Sequence, residues 1–229
     1  MLFDEAEIIQ SRTLKDDILI KDYISWPIHL SEEKEFISLK AKYRKVCEFE
    51  RMEQSPDIEG MYNADTFISH DTTEGRYAWS RCLTFMRDKM INECDIRISA
   101  GGKTIDYLGC MPGVLEEIFF AVQNIKPVYL LGGFGGISAK VCNFLKTGIK
   151  PNELTLEWQK ENNTHYSELL DEYKKHGLSI DYSWIDKLSI KSLNNGLSQE
   201  DNLRLFDTPF PDEAVCLIAQ GIRNIHNNF

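Results

Sequence analysis

The chain has 229 residues, and 42% of them are hydrophobic, so it is long and apolar enough to bury one good core. It carries 36 acidic residues against 26 basic ones, which gives a formal net charge of -10. A surface this acidic argues against nonspecific binding to nucleic acid or to an anionic membrane. Any anionic ligand would need a local basic pocket.

Cysteine and histidine usage argues against two further classes of protein. The six cysteines include no CxxC pair, and none of the five histidines has metal-ligand spacing with another. We therefore expect no disulfide framework and no metal site. We also expect no cofactor besides the ligand discussed below. The opening segment is acidic and lacks an apolar signal region, and no apolar run approaches the roughly 20 residues that span a bilayer. The sequence favours a cytoplasmic protein with no membrane or nucleic-acid partner.

The N-terminal part of the chain alternates predicted helices and breaks. Residues 4–23 show the apolar spacing of a helix, which Trp26-Pro27 ends. A second helix is expected over residues 31–43, followed by a short strand around residues 46–52. Residues 61–73 are expected to form a loop.

A longer helix over residues 76–92 precedes the central stretch. Apolar residues recur along it at helical spacing and would face a core. These residues are Trp79, Cys82, Leu83, Met86 and Met90. Arg87 lies off this stripe, and the commoner outcome for such a position is a solvated side chain.

The centre of the chain reads as strand, glycine loop, helix, strand and glycine loop. A strand over residues 95–100 runs into Gly101-Gly102, and an apolar run over residues 127–131 stops at Gly132-Gly133. Between them, Pro112-Gly113 opens a helix with a broad apolar face. Two strands joined by such a helix form a right-handed parallel crossover. The pattern predicts an α/β, Rossmann-like parallel sheet of few strands flanked by helices.

In such sheets, ligands collect at the carboxyl ends of the strands, where both glycine pairs lie. Glycine admits the positive φ of a tight turn and lets backbone amides approach a phosphate, and a helix amino terminus adds positive partial charge. Lys103 offers a cationic contact just after the first pair. These features predict a site for a phosphorylated or nucleotide-like ligand. The alternative is that the glycines only turn the chain, since no complete GxGxxG or GxxxxGK[ST] string is present.

The last third of the chain, residues 151–229, is expected to be a helical extension packed on a core formed by residues 1–150. Asn194-Asn195-Gly196 predicts a break within it. The other predicted elements are a helix near residues 164–175, a candidate strand over 177–182, a candidate helix over 185–193, a short helix over 198–205 and a last helix from Asp212.

The sequence contains few groups suited to catalysis. Glu116-Glu117 stands in the first turn of the helix that Pro112-Gly113 opens. One interpretation is that these carboxylates only complement the helix dipole, which contributes about 0.5 kcal/mol. The other is that one of them binds ribose hydroxyls or polarises a glycosidic bond.

The residues around the glycine loops resemble those of the SLOG superfamily, which includes the Lonely-guy cytokinin phosphoribohydrolases, the DNA-processing protein DprA and the sensor domains of TRPM channels. The likeness lies in RDKM at residues 87–90, in Asp95 entering a strand and in GVLEE at residues 113–117. In the phosphoribohydrolases, a PGGxGTxxE string carries nucleotide binding and a glutamate. Gly113 matches its last glycine and Glu117 its glutamate, whereas Val114 replaces the threonine and the preceding loop is longer.

A closer likeness is to SLOG domains of prokaryotic conflict systems, which show strings similar to GGK-x-x-x-Y-x-G-x-MPG-x-x-EE and YL-x-GGFGG. The resemblance covers about residues 20–147 and implies a SLOG-type fold with a ligand at the glycine loops. The ligand-binding residues that it implies are Gly101, Gly102, Lys103, Gly109, Pro112, Gly113, Glu116, Glu117, Gly132, Gly133, Phe134, Gly135 and Gly136.

The resemblance implies binding or sensing of a nucleotide or NAD-derived small molecule, in bacterial immunity or stress signalling. One alternative is a nucleotide N-glycoside hydrolase, in which Glu117 stabilises the developing positive charge and Arg87 holds the phosphate. Another is a degenerate structural partner subunit that binds no ligand. SLOG domains normally begin with a strand and glycine loop that this chain is expected to lack. An uncovered sheet edge would favour a homodimer or an effector partner chain.

Overall fold

The computed structural model describes residues 2–13, 17–31 and 33–227. The chain forms two compact units, Met1–Met86 and Arg87–Phe229. Each unit contains a two-stranded parallel sheet with helices around it. The fold is therefore α/β and Rossmann-like, which confirms the predicted fold class.

The first unit is built on one parallel crossover. Strands β1 and β2 pair in register from Ile20 opposite Cys47 to Ile24 opposite Arg51. Phe36 packs edge-on against Phe49 beneath them, with ring centroids 5.6 Å apart. The elements of this unit are α1 (Leu2–Thr13), β1 (Ile20–Ile24), α2 (Ile28–Ser31), α3 (Glu33–Tyr43), β2 (Cys47–Arg51) and most of α4 (Thr73–Glu93).

The helix predicted over residues 4–23 is wrong in its C-terminal part. Helix α1 ends at Thr13, residues 14–16 lie outside the described part of the chain, and Ile20–Ile24 is a strand. Helical spacing does not reveal the partner strand, whose hydrogen bonds satisfy the backbone of β1 in the extended conformation. The strand expected around residues 46–52 is confirmed as β2. The strands β1 and β2 thus precede the glycine loops. The expected lack of the strand and glycine loop with which SLOG domains normally begin stays a prediction.

The second unit contains the predicted central crossover. Strands β3 and β4 pair in parallel from Arg97 opposite Val128 to Ala100 opposite Leu131, so both end at the same edge of the sheet. Its elements are the end of α4, β3 (Arg97–Ala100), α5 (Gly113–Gln123), β4 (Val128–Leu131), α6 (Gly136–Thr147), α7 (Leu156–Asn162), α8 (Tyr166–Lys175), α9 (Gln199–Asp207) and α10 (Pro211–His226).

The C-terminal third packs on β4. The buried hydroxyl of Tyr129 donates to the carbonyl of Asn195 at 2.9 Å, and Leu205 and Leu217 pack around Tyr129. The boundary expected at residue 150 stays a prediction.

Two candidate elements of this third are absent from the described residues. Residues 177–182 form no strand, and residues 185–193 contain short 3-10 turns instead of an α-helix. The carboxylate of Asp181 accepts hydrogen bonds from the backbone N–H and hydroxyl of Ser183. This local pairing favours a turn over an extended strand.

The two glycine segments meet at the edge where β3 and β4 end. The backbone N–H groups of Ile137 and Ser138 donate to the carbonyls of Gly102 and Gly101, each at 3.0 Å. Gly136 has φ +63°, and a Cβ on it would lie 2.3 Å from the carbonyl oxygen of Gly102. Only glycine permits this approach of two backbone segments.

We predict that Gly136→Ala destabilises the second unit by about 3 kcal/mol or more, because a methyl group there displaces the Gly101-Gly102 backbone. Gly148 is the matched control, since it has φ +69° but nothing within 4 Å of an added Cβ. Gly148→Ala should lose only about 1 kcal/mol, from backbone strain. Urea unfolding of both variants measures the difference, and equal losses would contradict the contact.

Candidate functional site

The amino terminus of α6 is closed by the protein itself. The N–H groups of its second and third residues, Ile137 and Ser138, donate to Gly102 and Gly101, and the N–H of Gly135 donates to the carbonyl of Gly132 at 2.9 Å. These amides are therefore not free to bind an anion. Contacts to a phosphate at this edge would have to come from side chains and from other amides.

Gly132 and Gly133 lie against the C-terminal third. A Cβ on Gly132 would lie 2.4 Å from the carbonyl oxygen of Phe206, and one on Gly133 would lie 2.1 Å from that of Thr208. Of the sequence-predicted site residues, Gly101 and Gly102 are thus brought together with Gly136, whereas Gly132 and Gly133 pack on the chain around α9. Phe134 follows Gly133 in the chain and is 43% exposed.

Lys103 is exposed, and its ammonium group donates to the carbonyl of Asp106 at 3.2 Å. The loop that follows Lys103 is hydrogen-bonded to the C-terminal third of the chain. The N–H of Asp106 donates to the side chain of Asn163 at 2.9 Å, and the hydroxyl of Tyr107 donates to Gln159 at 2.7 Å. The hydroxyl of Tyr166 donates to the carbonyl of Cys110. Helices α7 and α8 therefore hold the loop that carries Lys103.

Two arginines and two glutamates form a partly buried cluster at the start of α5. Nη1 of Arg87 lies 2.5 Å from Oε2 of Glu116, whose other oxygen accepts from Sγ of Cys110 at 3.0 Å. Glu117 pairs closely with Arg97, and one of its oxygens lies 3.8 Å from Nε of Arg87. Glu116 is 1% exposed, so its carboxylate is completely enclosed. The cluster as a whole has no net charge.

Gly109 and Gly113 make room for the guanidinium group of Arg87. A Cβ on Gly113 would lie 2.6 Å from Nη2 of Arg87, and one on Gly109 would lie 2.8 Å from Nη1. The buried Pro112 stands at the N-cap of α5 and provides no side-chain cap. The glycines of this segment therefore accommodate an arginine of the same chain.

Burial governs the ionisation of this region. Desolvation raises the pKa of Glu117 above the ordinary value of 4.5 and outweighs the opposing attraction of Arg97 and Arg87. Desolvation also raises the pKa values of Tyr107, Tyr166 and Tyr182, which lie close to one another beside the cluster. All three tyrosines are therefore neutral at physiological pH.

The sequence analysis missed Arg97 and Cys110. Arg97 is a charged residue inside a four-residue strand next to a glycine pair, and that placement is the signal that could have identified it. Nothing in the local sequence marks Cys110 as a donor to Glu116. Among the described residues, no group of three or more histidine, cysteine or acidic residues could hold a metal ion. Within the same ranges, no helix is long and apolar enough to cross a bilayer.

Comparison with known proteins gives one finding. The family model described as SLOG cluster2 matches residues 1–205. No curated protein and no solved structure matches the chain.

The raised pKa of Glu117 predicts a specific pH dependence. A carboxyl group with a raised pKa in the folded state contributes stability below its ordinary pKa of 4.5, and this contribution is lost as the pH rises through the raised value. The melting temperature of Glu117→Gln relative to wild type should therefore increase between pH 4.5 and neutral pH. Thermal unfolding across this range measures it. Glu157→Gln on the surface of α7 is the control, and a difference that falls with pH would refute the assignment.

Proposed function

Since the chain belongs to the SLOG cluster2 family, we propose that it binds a nucleotide or an NAD-derived small molecule. Family membership is consistent with a ligand-binding role. One observation supports a nucleotide or NAD-derived ligand in particular. The Gly101-Gly102 turn meets Gly136 at the carboxyl edge of β3 and β4, and the exposed Lys103 lies next to this turn in the chain. This edge is where ligands of parallel sheets collect. As the SLOG resemblance implies, the role would be that of a sensor in bacterial immunity or stress signalling, in the cytoplasm.

The arginine–glutamate cluster favours binding over hydrolysis. Cleavage of an N-glycosidic bond requires a carboxylate positioned on the sugar and a cation positioned on the phosphate. Here Glu116 is enclosed by Arg87 and Cys110, and Glu117 is held by Arg97. The charges that the reaction needs already neutralise one another, so we propose a sensor without turnover.

The proposal is tested with the full chain and a panel of nucleoside monophosphates, NAD, ADP-ribose and cyclic ADP-ribose isomers. At least one compound should raise the melting temperature, while chromatography detects no released base. Lys103→Glu should abolish the shift, because it places a negative charge against the phosphate. Lys191→Glu, on an exposed turn, is the matched control and should retain the shift.

Two outcomes would contradict this function. Free base released at catalytic turnover and lost in Glu117→Gln would establish the hydrolase instead. No melting shift with any compound would favour a structural partner subunit that binds no ligand.

We further propose that the protein self-associates as a homodimer. Apolar side chains are exposed on helices of the first unit: Ile8 is 40% exposed, Ile9 50% and Ile37 54%. The SLOG resemblance implies a homodimer, and these side chains would be covered at its interface. The single chain has a mass of 26.5 kDa, and multi-angle light scattering at micromolar concentration should give twice this value. The double variant Ile9→Lys/Ile37→Lys should shift the measured mass towards that of the monomer. A monomer at all concentrations would eliminate the homodimer.

A further inference from the structure

Two aromatic rings are exposed at the carboxyl edge of β3 and β4. Among the phenylalanine, tyrosine and tryptophan residues of the described ranges, three are exposed: Phe67 and Phe134, each at 43%, and Phe210 at 66%. Phe67 belongs to the first unit and packs edge-on against Trp79. In the described part of the second unit, neither Phe134 nor Phe210 forms a ring contact with another aromatic residue. Packing within the protein therefore does not account for these two rings.

Backbone contacts bring both residues to the same edge. Phe134 ends the short turn that follows β4, and a Cβ on Gly101, directly after β3, would lie 4.0 Å from its carbonyl oxygen. Gly133, the residue before Phe134, touches the segment that leads to Phe210. A Cβ on it would lie 2.1 Å from the carbonyl oxygen of Thr208, two residues before Phe210. The β3 loop, the β4 loop and the connection between α9 and α10 thus meet where both strands end.

The connection that carries Phe210 is held by hydrogen bonds. The N–H of Phe210 donates to Oγ1 of Thr208 at 3.2 Å, and the hydroxyl of Thr208 donates to Glu213 at 2.6 Å. The other oxygen of Glu213 accepts from Arg204 at 2.7 Å, so this carboxylate joins α9 to α10. Thr208 is 5% exposed, whereas the nearby Phe210 faces solvent. A ring that packs on Phe210 therefore needs to order little of the chain.

The exposed area of the two rings fits one planar molecule better than a protein partner. An aromatic side chain buries roughly 150–250 Å² when it is fully covered, and the two exposed fractions together equal about one such side chain. Each partner of a stable protein interface contributes about 800 Å². A ring system of nucleobase size therefore matches this surface, and every base has a face that can stack on an aromatic ring.

A cation lies close to these rings in the fold. Lys103 is exposed, follows Gly101 by two residues and contacts the carbonyl of Asp106, not a carboxylate. Within the described ranges, no acidic side chain forms an ion pair with Lys103. A nucleotide has one anionic end and one planar end, and this edge offers a cation for the first and aromatic faces for the second.

We propose that Phe134 and Phe210 bind the base of the nucleotide by stacking, while Lys103 binds its phosphate. The inference rests on the proposed function and deepens it, because it assigns recognition of the base to two residues. Stacking reads the faces of a base and not its hydrogen-bonding edges. This contact should therefore favour purines over pyrimidines by the size of the ring system.

The test separates the base from the sugar phosphate. AMP, NAD and ADP-ribose contain adenine, whereas ribose 5-phosphate keeps the sugar phosphate and has no base. Each compound is titrated calorimetrically into the wild-type chain and into Phe134→Ala/Phe210→Ala. At least one adenine compound should bind wild type about tenfold or more tightly than ribose 5-phosphate does. The double variant should lose this advantage, while its affinity for ribose 5-phosphate stays unchanged.

Matched substitutions check the chemistry of the contact. Phe67→Ala removes a ring of the same exposed fraction from the first unit and should leave all affinities unchanged. Phe210→Tyr keeps the aromatic face and should retain binding of the adenine compounds. Phe210→Leu keeps only an apolar side chain and should weaken that binding by about fivefold or more, which distinguishes stacking from general apolar contact.

The inference alone is overturned if an adenine compound binds wild type and the double variant retains its full affinity, or if wild type binds ribose 5-phosphate equally tightly. It is also overturned if light scattering shows that the double variant converts a dimer to a monomer, because the rings would then belong to a subunit interface. If no adenine compound binds wild type, the proposed function fails and the inference fails with it. The comparison of probes in wild type needs no variant, so it stands even if the double variant does not fold.

Discussion

The ion pair between Arg87 and Glu116 is the interaction on which the second unit depends. Glu116 is almost fully buried, and an enclosed carboxylate without a cation would cost several kcal/mol. The pair requires space for a guanidinium group at the start of α5, and Gly109 and Gly113 provide it. It also requires a hydrogen-bond donor for the second carboxylate oxygen, which Cys110 supplies. The glycine, cysteine and arginine positions of this region therefore satisfy one electrostatic requirement.

The loop that provides this donor is also hydrogen-bonded to the C-terminal third. Cys110 lies on the loop that forms hydrogen bonds with Tyr166 and Gln159, and this loop also contains Lys103. Helices α7 and α8 consequently support the donor to Glu116 and the exposed lysine together. The segment that looked peripheral in the sequence is thus part of the scaffold of the candidate site.

The sequence predicted best those features that depend on local pattern. The α5 helix, the β3 and β4 strands and their parallel crossover follow from apolar spacing and glycine punctuation, and all three are confirmed. Strand β1 was missed because IKDYI becomes a strand only through pairing with residues 47–51, a contact that no local pattern contains. Candidate strand 177–182 failed for the complementary reason, since Asp181 forms its hydrogen bonds locally. Within the site, the arginine partners of the glutamates could not be assigned, because charge pairing depends on side chains far apart in the chain.

The carbonyls of Gly101 and Gly102 cap α6, and this contact links the loop to the folding of the helix. A helix end whose amides are paired by a distant loop loses those bonds whenever the loop departs. Ordering of the loop and winding of the first turn of α6 are therefore a single cooperative event. A molecule that binds the loop in this conformation also adds to the stability of α6 by mass action. A ligand bound at this edge of the sheet therefore opposes local unfolding of the first turn of α6, and local unfolding of that turn weakens binding of the ligand.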